Sequence, residues 1–140
     1  MSDETIFTQI VAGEIPSYTV YEDETTYAFL DAHPLAPGHT LVIPKEPYER
    51  VNDMPPELAG HVFQTVSKVT EAVEHAVDAP ATTIAFNNGE EAGQEVPHVH
   101  CHIIPQFSDS TAKPIHTLFP GADIADEEME AIAEKIRSSQ

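Results

Sequence analysis

Basic residues are what this chain has least of. Six lysines and arginines stand against 24 aspartates and glutamates, a formal charge of −18 over 140 residues. A nucleic-acid interface is built on clustered Lys and Arg, so the composition argues against that class of function. The same deficit removes any attraction to an anionic membrane surface. Cysteine is nearly missing too: Cys101 stands alone, which rules out an internal disulfide and suits a reducing, cytoplasmic setting. Long apolar runs are lacking, and none approaches the roughly 20 residues of a membrane span. Acidic Asp3 and Glu4 occupy the place where a signal peptide would be basic.

What is present is a folding pattern. The chain is 41 % apolar with clear periodicity, unlike a disordered acidic polymer. Its length allows one domain with a real core and is too short for two. Scarce lysine and dispersed acids are expected of a protein adapted to high salt, where ions screen self-repulsion.

Taken in order, Ile6, Phe7, Ile10 and Val11 have helical spacing, with Gly13 as a stop. Tyr18 to Tyr21 predicts a strand, Glu22-Asp23-Glu24 a turn, and Tyr27 to Asp31 a second strand. His39 to Pro44 predicts a third, after a loop with Pro34 and Pro37. Asp53 precedes a long helix that opens near Pro55-Pro56-Glu57, where proline sacrifices no hydrogen bond. Leu58, Val62, Val66, Val69, Val73 and Val77 form its apolar stripe, and Pro80 ends it. Thr82 to Phe86 predicts a fourth strand, and the loop 87–93 leads to a fifth over His98 to Ile104, closed by Pro105. An irregular stretch with Pro114 and Pro120 follows. A last helix is expected to be capped by Asp126, with Met129, Ile132, Ala133 and Ile136 as its stripe. The expected fold class is α+β: a five-stranded antiparallel sheet packed with one long and two shorter helices. It forms one domain over 1–140, with a core at about 5–107 and a C-terminal extension over 108–140.

The fifth strand carries the chemistry. His98, His100 and His102 alternate with Val99, Cys101 and Ile103. An extended chain sends alternate side chains to opposite faces, about 7 Å apart along the strand, so three imidazoles share one face. A strand that only packs has no use for three titratable groups there. Cys101, on the opposite face, is a packing residue. Two chemistries fit the histidines. They could ligate a metal, or one imidazole could attack a phosphorus centre while its neighbours orient it and bind the phosphate oxygens.

His98 to Ile104 fits the pattern His-φ-His-φ-His-φ-φ and resembles the histidine triad (HIT) family of nucleotide hydrolases and transferases. Gly93-Gln94-Glu95-Val96 matches that family's lead-in. Phe29-Leu30-Asp31 and Pro37 to Lys45 resemble its nucleoside-binding strand and fourth histidine, and the likeness runs from about Ile6 to Pro105. The resemblance implies that His100 attacks an α-phosphorus and forms a nucleotidyl-histidine that water hydrolyses, without a metal or cofactor. It implies that His102 binds a non-bridging oxygen, and that His98 and His39 orient the pair. Asn87 and the Gly93-Gln94 backbone suit the phosphate, and Asp31 suits the ribose hydroxyls. Ile6, Phe7, Ile10, Ile15, Phe29 and Leu41 would line the pocket for a purine base. A two-fold homodimer through the long helices is also implied.

Three positions distinguish this chain. Glu95 stands where relatives carry a Ser or Thr that helps the leaving group. Thr5 and Thr8 replace a zinc-binding Cys-x-x-Cys pair, and His102 stands where a transferase branch has Gln. The expectation is a cytoplasmic hydrolase of nucleoside phosphoramidates or related nucleotidyl substrates. Dinucleoside polyphosphate hydrolysis, a nucleotide sensor without turnover, and a metal-binding protein are the alternatives.

Overall fold

The structure, a computed structural model, describes residues 4–140. Residues up to Ser110 form one compact unit organised by a sheet. Its strands are β1 (Thr19–Glu22), β2 (Thr26–Leu30), β3 (Thr40–Pro44), β4 (Ala81–Phe86) and β5 (Cys101–Gln106). They lie in the order β1-β2-β3-β5-β4, and every neighbouring pair is antiparallel. Helices α1 (Ile6–Val11) and α2 (Pro56–Val77) belong to the same unit.

Alternation along the strands builds two apolar layers. Ala28, Val42, Cys101 and Ile103 face α2, while Tyr27, Phe29, Leu41 and Ile43 face Phe7 and Ile10 of α1. On α2, Val62, Val66, Val69 and Val73 recur on one face and are buried, each contributing about 1.5 kcal/mol of transfer free energy. The buried Thr65 hydroxyl in the same face bonds that of Thr26 at 2.9 Å, so neither polar group is left orphaned.

Several boundaries depart from the sequence reading. The fifth strand begins at Cys101, not His98. Pro97 lacks an amide hydrogen, and the His98 N–H turns back to the Val96 carbonyl at 2.8 Å. The Val99 N–H goes to Tyr48 at 2.7 Å instead of to a neighbouring strand. Nor does Pro105 close β5: it is buried within the strand, opposite Thr82. Pairing with β3 has already stopped at Ile103, so a missing donor is tolerated there. Asp31 and His39 lie just outside β2 and β3, joined by an Asp31 N–H to His39 carbonyl bond of 2.9 Å. Helix α2, by contrast, ends at Val77, the last residue of its expected stripe, and Asp78 caps it in the left-handed conformation (φ 57°).

Residues Thr111–Gln140 form a second compact unit. It contains α3 (Asp126–Ser138), whose cap is Ala125; Asp126 is the first helical residue and makes no capping bond. Asp126, Glu127 and Glu128 in the first turn, and Lys135 and Arg137 in the last, complement the helix dipole. Met129, Ile132 and Ile136 remain exposed. Among the described residues no helix is long and apolar enough to cross a membrane.

Candidate functional site

Strand register places an apolar wall beside the histidines. Phe29 pairs with Leu41, and Leu41 with His102, so these three side chains stand side by side on one face of the sheet. Helix α1 lies over that face. Its Phe7 ring meets Phe29, His98 and His100 edge-on at 5.6, 5.5 and 5.0 Å. Between them opens a cleft of about 450 Å³. Ile6, Phe7, Ile10, Phe29 and Leu41 make its apolar side; Asp31, Asn87, Gly93, Glu95, His100 and His102 make its polar side. A hollow of similar size, about 480 Å³, opens among Glu24, Lys45, Tyr48 and His61, but it holds none of the triad.

Four expected site residues lie outside the cleft lining. Ile15 packs against the same apolar cluster but lines an adjoining hollow with Tyr18 and Leu30. Gln94 is turned into the loop. It accepts from the Gly89 N–H at 2.7 Å and donates to the carbonyls of Glu49 and Val96 at 2.8 and 2.9 Å. His98 and His39 are buried behind the cleft, so only two of the three triad rings line it, their centroids 5.2 Å apart. Conversely, Ala32 and His33 line the cleft without having been singled out, and so does Val96, which was noted only as part of the lead-in motif. His33 had a local signal, because its N–H closes an Asx turn onto Asp31 at 2.8 Å.

The loop before β5 brings backbone close to the polar end. Asn87 ties it with a 2.7 Å bond from Nδ2 to the Ala92 carbonyl. Gly93 takes φ 96°, a conformation open to glycine and strained for other residues.

The hydrogen bonds assign the protons. A carbonyl only accepts, so His98 Nε2–H donates to Pro44 at 2.7 Å, and His100 Nδ1–H donates to the His98 carbonyl at 2.8 Å. A neutral His100 therefore carries its lone pair on Nε2, which bonds no other group among the described residues. At His39, Nδ1 accepts the Leu35 N–H at 3.0 Å, so the proton is on Nε2. That Nε2–H donates to His102 Nδ1 at 2.9 Å, leaving His102 with its own proton on Nε2. Asp31 Oδ2 stands 3.5 Å from His39 Nε2.

Burial favours the neutral ring at three of these positions. It pushes His39, His98 and His102 below the ordinary histidine value. The neighbouring imidazoles of His100 and His39 lower His102 further, and Asp31 partly offsets this at His39 and His102. Burial also raises the Cys101 thiol to about 12, against a smaller opposing hydrogen bond with the Ala85 backbone.

Asp31, His39 and His102 offer ligand atoms within 4.8 Å of one another, the one such group among the described residues. The two histidines are already bonded through a proton, however, which an ion would have to displace. The residues present do not fit a structural zinc at Thr5 and Thr8. Both hydroxyls are engaged in the capping box of α1, and a neutral alcohol is not among the usual zinc ligands.

Comparison with known proteins agrees with this geometry. A family model described as "HIT domain" matches residues 12–109. "Protein hit" of Bacillus subtilis is 45 % identical over 106 residues, covering 76 % of this chain and 73 % of that protein. "Adenosine 5'-monophosphoramidase HNT1" of Candida albicans is 34 % identical over 110 residues, covering 76 % and 72 %. The crystal structure of a HIT-family member from Bacillus subtilis superposes with a TM-score of 0.84 at 38 % identity, covering 98 % of this chain and 97 % of that one. With its triad in the sequence, its sheet and three helices in the fold, and these relatives, the chain belongs to the histidine triad (HIT) family.

Proposed function

We propose that this protein hydrolyses purine nucleoside phosphoramidates through a covalent nucleotidyl-His100. The observation that carries the reading is the proton assignment. His100 offers an unprotonated Nε2 held by its other nitrogen, beside a His102 whose Nε2 carries a proton. Nucleophile and oxyanion donor thus border the same cleft. The base would lie against Phe7, Phe29 and Leu41, and the ribose hydroxyls would donate to Asp31.

The steps balance without a metal. The His100 Nε2 lone pair attacks the α-phosphorus and the P–N bond breaks. The amine leaves with the electron pair and takes a proton from water at the open end of the cleft. Water then attacks the same phosphorus, the P–Nε2 bond electrons return to His100, the proton the water sheds neutralises the hydroxide left by the first step, and the mononucleotide departs. Glu95, exposed at the cleft, favours a leaving group bearing an amine over one bearing further phosphates. The name of the Candida albicans relative, an adenosine 5'-monophosphoramidase, supports the same substrate class.

The test is a rapid quench during turnover of adenosine 5'-phosphoramidate. Wild type should carry one acid-labile adenylyl group on the peptide containing His98 to His102. His100→Ala should carry none and still bind AMP. Full activity in His100→Ala, or activity lost on chelation and restored by added metal, overturns the mechanism. Tight AMP binding with no turnover of any nucleotidyl substrate overturns the enzyme reading in favour of a nucleotide sensor.

A further inference from the structure

Thr5 sits 93 residues before His98, yet its Oγ1 lies 2.8 Å from His98 Nδ1. The same oxygen accepts the N–H groups of Phe7 and Thr8, both at 3.1 Å, as the N-cap of α1. A hydroxyl has two lone pairs and one proton. With both lone pairs taken by the helix, the proton has one place to go, the His98 ring. His98 Nδ1 must then be the acceptor, which agrees with Nε2–H donating to the Pro44 carbonyl at the other end of the ring. Both ring nitrogens of this fully buried histidine are thereby occupied. Its main-chain carbonyl in turn receives the His100 Nδ1–H.

We propose that Thr5 is a positioning residue for the nucleophile: its hydroxyl fixes the neutral Nε2–H tautomer and orientation of His98, and through the His98 carbonyl the aim of His100. This rests on the reading of His100 as nucleophile. It also ties two parts of the site together. Helix α1, which Thr5 caps, supplies Ile6, Phe7 and Ile10 to the nucleoside side of the cleft. The same hydroxyl that caps the helix donates its hydrogen bond to His98, directly behind the nucleophile. A displaced α1 would therefore misdirect His100 as well as loosen the base. Neither consequence needs Thr5 to touch substrate.

Capping and wiring can be separated by substitution. In Thr5→Asp the carboxylate still accepts from the first-turn amides, but it has no proton to give and calls one onto His98 Nδ1. Thr5→Ser keeps both functions. Thr8→Ala weakens the capping box, because Thr8 Oγ1 receives the Thr5 N–H at 2.8 Å, and it leaves the Thr5–His98 contact in place.

The experiment uses the full-length protein, with ring-nitrogen chemical shifts of His98 and His100 at neutral pH and the single-turnover adenylylation rate with adenosine 5'-phosphoramidate. Wild type, Thr5→Ser and Thr8→Ala should show an unprotonated His98 Nδ1 and rates within about twofold of one another. Thr5→Asp should show a protonated Nδ1 and a rate about tenfold lower with AMP affinity unchanged, the size of one lost hydrogen bond. If Thr5→Asp does not fold, the isosteric Thr5→Val should show the same rate loss, which Thr8→Ala should not. A protonated His98 Nδ1 in wild type overturns the proposal, as does a wild-type rate in folded Thr5→Asp or Thr5→Val. So does a loss in Thr8→Ala equal to that in Thr5→Val. Should no nucleotidyl substrate adenylylate wild type, the enzyme reading fails, while the ring shifts still decide where the Thr5 proton lies.

Discussion

Replacing His39 by leucine removes a residue that has no contact with the cleft and should still disable the reaction. His39 is 2 % exposed, and leucine has similar bulk, so no large cavity forms. Two groups lose a partner, the Leu35 N–H and His102 Nδ1. Leu35 is 74 % exposed, so water can replace its lost acceptor. His102 Nδ1 has no such recourse, and an orphaned buried acceptor costs about 1–3 kcal/mol. Leucine's own burial offsets part of that, which leaves a net loss of about 1 kcal/mol in stability. The activity should fall much further. Without the Nε2–H of His39, His102 is free to hold its proton on Nδ1 and to present a lone pair to the phosphate oxygen. One oxyanion donor is worth about 100- to 1,000-fold in rate. Because the tautomer shifts only in part, a drop of about tenfold to 100-fold in kcat is expected, with KM little changed. Single-turnover adenylylation of His39→Leu, His102→Ala and the double variant tests this as a cycle. If His39 acts through His102, the double variant is no slower than His102→Ala. Additive losses, or an unchanged kcat in folded His39→Leu, would refute the assignment of protons.

Other expectations are read from the same contacts. Asp31→Asn should weaken nucleotide affinity about tenfold, the worth of a charge-assisted hydrogen bond, and a smaller loss for AMP than for inorganic phosphate would contradict it. Burial holds the folded-state values of His98 and His39 below the unfolded one, so below the usual histidine value the unfolded chain binds more protons. Stability should therefore be full above about pH 6.5 and fall as pH drops through that value toward the folded ones, by up to about 1.4 kcal/mol per pH unit for each ring; denaturant midpoints that stay level from pH 7 to pH 5 would contradict this. With −18 per chain, the melting temperature should rise from low salt to about 1 M, where the Debye length is about 3 Å, and a steady fall would end the high-salt reading. Light scattering at molar salt should give a two-fold homodimer joined through α2 and β4, where Phe63 and Ile84 remain exposed beside the unpaired sheet edge; a monomer mass counts against it.

The parts of this fold that could be read from the chain are those governed by local period. Valines four, seven and eleven residues after Val62 or its neighbours announce α2, and alternation announces β3 and the chemical face of the histidines. The phase of the triad segment was harder, because Pro97 and the Tyr48 carbonyl redirect its backbone and neither effect shows in a pattern of apolar residues. His98 consequently looks equivalent to His100 in sequence, although one is sealed between Thr5 and Pro44 and the other borders the cleft. The bond from Thr5 to His98 spans 93 positions, and no local rule connects residues that only the tertiary fold brings together. The Gln94 side chain was hidden for a related reason: three backbone partners, one of them 45 residues away, hold it to the loop.

Strand β5 has one further consequence. His102 looks into the cleft while Cys101 and Ile103, its immediate neighbours, are fully buried against α2. A stabilising programme that enlarged either neighbour would press on the same few ångströms of backbone that aim His102, the proposed hydrogen-bond donor to the phosphate, since packed interiors pass strain along instead of absorbing it. Thermal robustness and turnover would then be traded against each other at those two positions. Gains sought at the exposed apolar residues of α3 touch none of those buried positions and are where an engineer should begin.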